Sequence, residues 1–361
     1  MTKFFNIRMF VVTALMLLFT ASWANETSDK LQFSSETLVP GETETQYVNL
    51  TLLGSRLYSG YNVEITIPEG VEPAYEDDEL DLQKGAILKN SHTVAGEYDT
   101  NTRVLRVICS SSSNADFRQT SGVVCLIGLV VSTYAKPGAL SLALSDQALT
   151  TADMTEYDPA DVTDENVTIS TTAKASLSVS AANKWSTCIL PFATSLPEGL
   201  KAYTCSSKDD DKQVFYLSDA SSIEAYTPYI LYSESGYTGT LTGEVDASQY
   251  PEDGKVAQGY LTGAIEKQTT NEGYVLQNKG DGVKFYLMDN TKSYNIPAGK
   301  CWATPPASTT QSYSFDFPTA VKGIAEVTES KNESKYNLSG IMIDAPHKGQ
   351  LYIQNGRKYV K

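Results

Sequence analysis

The stretch Gly60-Tyr61-Asn62-Val63-Glu64-Ile65-Thr66-Ile67-Pro68-Glu69-Gly70 decides the fold class. Tyr61, Val63, Ile65 and Ile67 alternate with Asn62, Glu64 and Thr66, the period of two that a half-buried β-strand requires. Pro68-Glu69-Gly70 then stops the strand with turn-forming residues. The same period recurs on both sides of this segment. Upstream, Val48, Leu50 and Leu52 alternate with Tyr47, Asn49 and Thr51; downstream, Leu105, Val107 and Cys109 form another inward set. Val123 to Val131 is almost continuously apolar, as in a strand covered on both faces. Leu140, Leu142 and Leu144 follow, then Val167 and Ile169. Strands this short bury their apolar faces only against one another, so residues 27–172 read as one β-sandwich. The polar, acidic stretch Asp146 to Glu165 reads as a surface loop before its last strand.

Ala173 to Ala182 carries the chain into a second all-β module, residues 175–318. Its strands are read at Trp185 to Phe192, Leu200 to Cys205, Val214 to Leu217, Pro228 to Tyr232, Tyr237 to Leu241, Tyr274 to Gln277, Val283 to Leu287 and Lys300 to Ala303. Gly and Pro punctuate nearly every gap. A linker, 319–335, leads to a tail, 336–361, with two or three short strands. From Lys331 to Lys361 there are six Lys or Arg (331, 335, 348, 357, 358, 361) against Glu333 and Asp344, about +4 on an otherwise acidic chain. The fold class is therefore all-β: a jelly-roll sandwich, a second β domain and a short β tail.

The amino terminus has the pattern of an export leader. Lys3 and Arg8 precede the apolar run Met9 to Leu18, and Ser22 and Ala24 occupy the −3 and −1 places of a signal-peptidase site. The leader is residues 1–24, cut between Ala24 and Asn25. No Cys follows the cut to carry a lipid, and no later stretch is long and apolar enough to span a bilayer. The expected location is extracellular or at the outer-membrane surface, with the periplasm as the alternative. The formal charge is −15, or −17 once the leader is removed, which disfavours nucleic acid and anionic lipid as partners.

Chemistry-bearing residues are sparse. His92 and His347 are the two histidines, so a Ser-rich loop such as Ser110 to Ser113 lacks an obvious base. No HExxH, CxxC, Walker or GxGxxG pattern is present. The acidic clusters (Glu76 to Glu79 with Asp81; Asp209 to Asp211; Asp158, Asp161, Asp164 and Glu165) lie in polar stretches that read as solvated loops. No catalytic residue, cofactor or metal ligand is assigned. The Asp158 to Glu165 segment carries enough oxygens for a structural calcium ion but lacks EF-hand spacing. Two disulfides are conceivable across hairpins, Cys109–Cys125 and Cys188–Cys205, against the alternative that all five cysteines are small buried hydrophobes. Tyr58, Tyr134, Tyr237 and Tyr260, near strand ends, are the candidate sugar-stacking rings, with ordinary packing as the competing role.

Three stretches resemble known families. Val48-Asn49-Leu50, Gly60 to Ile65, Ile67-Pro68-Glu69-Gly70-Val71, Leu105-Arg106-Val107 and Ser121 to Ile127 together are similar to cohesin-type domains and related carbohydrate-binding sandwiches. That resemblance covers about residues 31 to 171 and implies a binding domain; cohesins bind dockerins, which carry paired calcium loops. Trp185 with Leu190-Pro191-Phe192, Leu196 to Tyr203, Ile223 to Ile230, Gly273 to Leu276, Val283 to Tyr286 and Ile296 to Lys300 resemble a β-rich module of secreted proteins of gut anaerobes. Residues 336–361 resemble a shortened type IX secretion sorting domain, with Gly340-Ile341 in place of the usual Gly-Arg. The implied function is a non-enzymatic surface or secreted protein presenting a face to a polysaccharide or a cell-surface protein. The alternatives are an adhesin or fibre subunit and an accessory module of a polysaccharide-degrading system.

Overall fold

The computed structural model describes residues 25–306 and 310–316, and within the tail four short strands and Lys348. The leader 1–24 with Ala24, most of the 319–335 linker and His347 lie outside the described residues. The chain forms two compact units, Met1–Asp316 and Phe317–Lys361. Among the described residues the only helix is a single 3-10 turn, Ala247–Gln249, so the architecture is all-β as the alternation requires.

The first sandwich packs two sheets face to face. One runs in the order Asn25–Glu26, Glu156–Asp158, Leu142–Thr150, Gly60–Thr66, Val104–Ser111, His92–Asp99, with Val162–Asp164 also on Leu142–Thr150. The other runs Lys30–Phe33, Gln46–Leu53, Gly122–Val131, Val71–Pro73, with Leu82–Lys84 also on Gly122–Val131. Tyr61, Val63 and Ile65 from the deciding strand meet Leu50, Leu52, Cys125 and Ile127 in the core between the sheets. Each such aliphatic side chain contributes about 1.5–3 kcal/mol by burial. A slip of one residue would turn the whole set outward, and this fixes the register.

The acidic stretch after Asp146 is not the loop its composition suggests. Leu142–Thr150 runs through Asp146, and Glu156–Asp158 and Val162–Asp164 both pair back onto it. Its carboxylates serve local ends instead of solvent alone: Asp164 is buried and accepts the Phe33 amide at 2.8 Å. In the same way Glu76 to Glu79 is a tight hairpin whose Asp77 and Asp78 both adopt positive φ. Asp81 beyond it is buried and accepts the Tyr47 hydroxyl at 2.6 Å.

The second module is built on a ten-stranded sheet that begins at Trp185–Cys188, Tyr229–Tyr232, Lys201–Asp209 and Val214–Ala220. It then passes through Ser312–Asp316 and Val283–Leu287 and ends at Lys255–Gln258. Phe215 stacks on Tyr313 at 4.1 Å in its centre. A ribbon of Thr172–Val179 and Tyr237–Glu244 closes one side, burying Ala173, Ala175, Leu177 and Val179.

The two modules, read as separate domains from the sequence, share one compact unit. The Lys174 amide donates to the Pro40 carbonyl at 2.8 Å, and Thr133 Oγ1 donates to the Lys174 carbonyl at 2.8 Å. Tyr134 projects across the junction and donates to the Ile189 carbonyl at 2.9 Å, while the Tyr250 hydroxyl returns a bond to the Tyr134 carbonyl at 3.1 Å. Gly41 makes this approach possible: its φ is +73°, and a Cβ there would stand 1.8 Å from the Lys174 carbonyl oxygen. Gly41→Ala therefore combines a left-handed penalty with a backbone clash. We expect it to lower stability by more than about 2 kcal/mol. A melting temperature equal to that of the wild type would show that the junction is loose.

Candidate functional site

The four tyrosines singled out as sugar platforms do not form one. Tyr58 is wholly buried, and its hydroxyl donates to Asp29 at 2.7 Å. Tyr134 is spent on the junction, Tyr237 packs from the end of the closing ribbon onto the core, and Tyr260 packs on the second module's aromatic core, 6.2 Å from Phe215. An amphipathic ring near a strand end gives no sequence signal that separates display from packing, and here Tyr58 is buried while the other three are partly buried against a core.

The five cysteines are buried free thiols, and neither expected pair faces across a hairpin. Cys109 stands opposite Tyr61 and Val94 in one sheet, whereas Cys125 stands opposite Leu50 and Lys84 in the other. The loop between them crosses from sheet to sheet, so equal spacing about its midpoint creates no ladder partners. Cys188 pairs with Tyr229 and Cys205 with Leu217; the Tyr229–Tyr232 strand runs between their two strands. Burial pushes the Cys109, Cys125, Cys188 and Cys205 thiols up to about 12, which leaves them without reactive thiolate.

His92 is a structural residue. It is fully buried, its Nδ1 accepts the Lys89 amide at 3.0 Å, and its Nε2 lies 3.0 Å from the Ala115 carbonyl. The ring packs on Phe117 with centroids 5.1 Å apart. Among the described residues no group of three His, Cys, Asp or Glu side chains is placed to hold a metal ion. Of the carboxylates suggested for calcium, Asp158 and Asp161 are exposed, while Asp164 is turned inward to Phe33.

What the fold does assemble is an open cleft of about 950 Å³ on the outer face of the first sandwich. Its floor is set by the alternation that built the core. With Val63, Leu105, Val107 and Cys109 inside, Asn62, Glu64, Arg106 and Ile108 must face out. The register places Glu97, Arg106, Glu64 and Ser145 in one row across four strands, and Ala95, Ile108, Asn62 and Ala148 in the next. Arg106 Nε bonds Glu64 at 2.6 Å, and that carboxylate holds the guanidinium above its ordinary range. Ile108 is buried to 9% exposure, so the second row is a closely packed floor beside a charged one.

A β-bulge shapes the far side. Asp146 and Gln147 oppose the single residue Val63, and Asp146 adopts φ +48°. The bulge turns Gln147 inward, where its side chain accepts the Leu31 amide at 3.1 Å and donates to the Ala160 carbonyl at 3.0 Å. Asp146 stays at the cleft, held by Asn62 through its carbonyl at 3.0 Å and its carboxylate at 3.2 Å. Glu156, Asp158, Pro159 and Asp161 complete the lining. Five carboxylates thus share the cleft with one guanidinium.

Glu156 records that crowding. Burial, and then the neighbouring Asp158 and Asp146 carboxylates, raise its carboxyl above the usual range. A raised acid disfavours the folded state once the group is charged, so the cost is absent at low pH and present above its folded-state titration. Glu156→Gln should leave stability unchanged in acid and raise it at neutral pH, by less than about 1 kcal/mol because solvent screens the site. Denaturant unfolding at both pH values reads this directly. Equal stability of the two chains at neutral pH would show that the raised carboxyl costs the fold nothing.

No protein-family model matches the chain, and no curated protein does. Among solved structures it is similar to a non-cellulosomal cohesin from the hyperthermophilic archaeon Archaeoglobus fulgidus, with 15% identity over 40% of this chain and 91% of that one, at a TM-score of 0.29. It is also similar to the OlpC and OlpA type I cohesin–dockerin complexes from Clostridium thermocellum. OlpC gives 10% identity over 42% of this chain and 99% of that chain; OlpA gives 18% over 40% and 99%; the TM-score is 0.32 for each.

Proposed function

We propose that this chain is an exported, non-catalytic binding protein whose first sandwich presents the outer face of its Gly60–Thr66 and Val104–Ser111 sheet to a protein partner. The observation that supports the reading is the uncovered cleft itself, where Arg106 and Glu64 stand among four further carboxylates. A protein surface suits it better than a glycan, because sugars dock on exposed rings and no aromatic side chain is among those lining the cleft. The sequence resemblance to cohesin-type domains names one candidate partner class, the dockerins. The second module, joined rigidly through Tyr134 and Gly41, serves as a fixed spacer. Export rests on the leader pattern, and the tail serves sorting or attachment. No cofactor is required by this reading.

One feature favours a second reading. The raised Glu156 carboxyl beside Asp146 and Asp158 has the elements of acid catalysis on a polysaccharide, which uses carboxyls of unequal acidity. The open, solvated setting of the cleft favours binding over hydrolysis.

Immobilised chain should capture a protein from a culture of the source organism, and Arg106→Ala with Glu64→Ala should weaken that capture by roughly tenfold or more, as loss of a central charged anchor does. Glycan-array binding without protein capture would overturn the protein reading. Polysaccharide hydrolysis abolished by Glu156→Gln would replace binding with catalysis.

A further inference from the structure

Residues 25–316 carry 19 Lys or Arg against 39 Asp or Glu, whereas the second unit, Phe317–Lys361, carries seven against four. One chain therefore holds a strongly acidic body and a small basic unit. The acidity is locally concentrated, since Glu64, Asp146, Glu156, Asp158 and Asp161 all border one cleft with Arg106 as their sole cationic neighbour in its lining. The basic unit is itself a four-stranded sheet, ordered Met342–Ile343, Lys335–Tyr336, Leu351–Gln354, Arg357–Val360. Its last strand, at the sheet edge, brings Arg357 and Lys358, and Lys361 follows it directly.

We propose that the cleft of one copy receives the basic C-terminal unit of a second copy, joining chains head to tail. This rests on the cleft being the binding face and names its occupant. Charge complementarity is the argument. An acidic sheet face selects a partner rich in cations, and the second unit carries seven Lys or Arg against four Asp or Glu. The two surfaces differ, so the contact is heterologous. A heterologous contact that does not close into a ring propagates as a filament. The crowding of carboxylates around Glu156 would be relieved by an arriving cation, which makes association weaker both in acid and at high salt.

Sedimentation velocity of the full mature chain, over a wide range of concentration and at low and high salt, tests this. Association that grows with concentration at low salt and disappears at high salt is expected. Arg357→Glu with Lys358→Glu should weaken it by roughly tenfold or more, as should Asp158→Lys with Asp161→Lys, two exposed sites whose replacement leaves the core alone. Mixing those two charge-reversed chains should restore association between them. A wild-type chain that is monomeric throughout, or tail-reversed chains that associate as the wild type does, would overturn the proposal. If the chain is monomeric yet captures a foreign protein through Arg106, the binding face stands and only the identity of its occupant falls. If neither occurs, the binding face itself is wrong.

Discussion

The structure depends on one packing constraint: two sheets of short alternating strands close on each other, and each strand has only two faces. Val63, Ile65, Leu105 and Val107 are all buried to 1% exposure or less. Once they turn inward, the orientation of Asn62, Glu64, Arg106 and Ile108 is no longer free. The binding face proposed here is thus the reverse side of the core, positioned by burial energy that far exceeds anything the exposed charges supply. Charge pairs such as Arg106–Glu64 tune a surface that the hydrophobic effect has already laid out.

The inner half of this arrangement is legible in the sequence because alternation is a local signal. The strand at Gly60 to Thr66, its stop at Gly70 and the apolar run Val123 to Val131 all follow from neighbouring residues. The outer half is harder to read. Arg106 and Glu64 are 42 positions apart and become neighbours only through strand pairing. Asp146 and Glu156 sit in a stretch whose polarity suggests a loop, yet its pairing along Leu142–Thr150 and the bulge opposite Val63 convert it into a cleft wall. Long-range register carries no local signature, and a bulge is invisible until its partner strand is known.

Tyrosine and cysteine illustrate the same limit from the other side. Both residue types serve either display or burial, and spacing alone does not choose between them. Tyr58 is buried because Asp29 gives its hydroxyl a partner inside, and Tyr134 packs at the junction because the second module supplies the Ile189 carbonyl. Cys109 and Cys125 look symmetrical about a loop, but that loop changes sheets. In each case the deciding group lies far away in sequence.

The central claim is that the outer face of this sheet, and no other surface, engages the partner. Hydrogen–deuterium exchange of the mature chain, free and in complex with its captured partner, tests it most directly. The account predicts slowed exchange in Gly60–Thr66, Val104–Ser111 and the segment from Leu142 to Asp161, with the Lys201–Asp209 and Val214–Ala220 strands of the second module unchanged. Protection confined to the second module, with the first sandwich exchanging as it does when free, would contradict it.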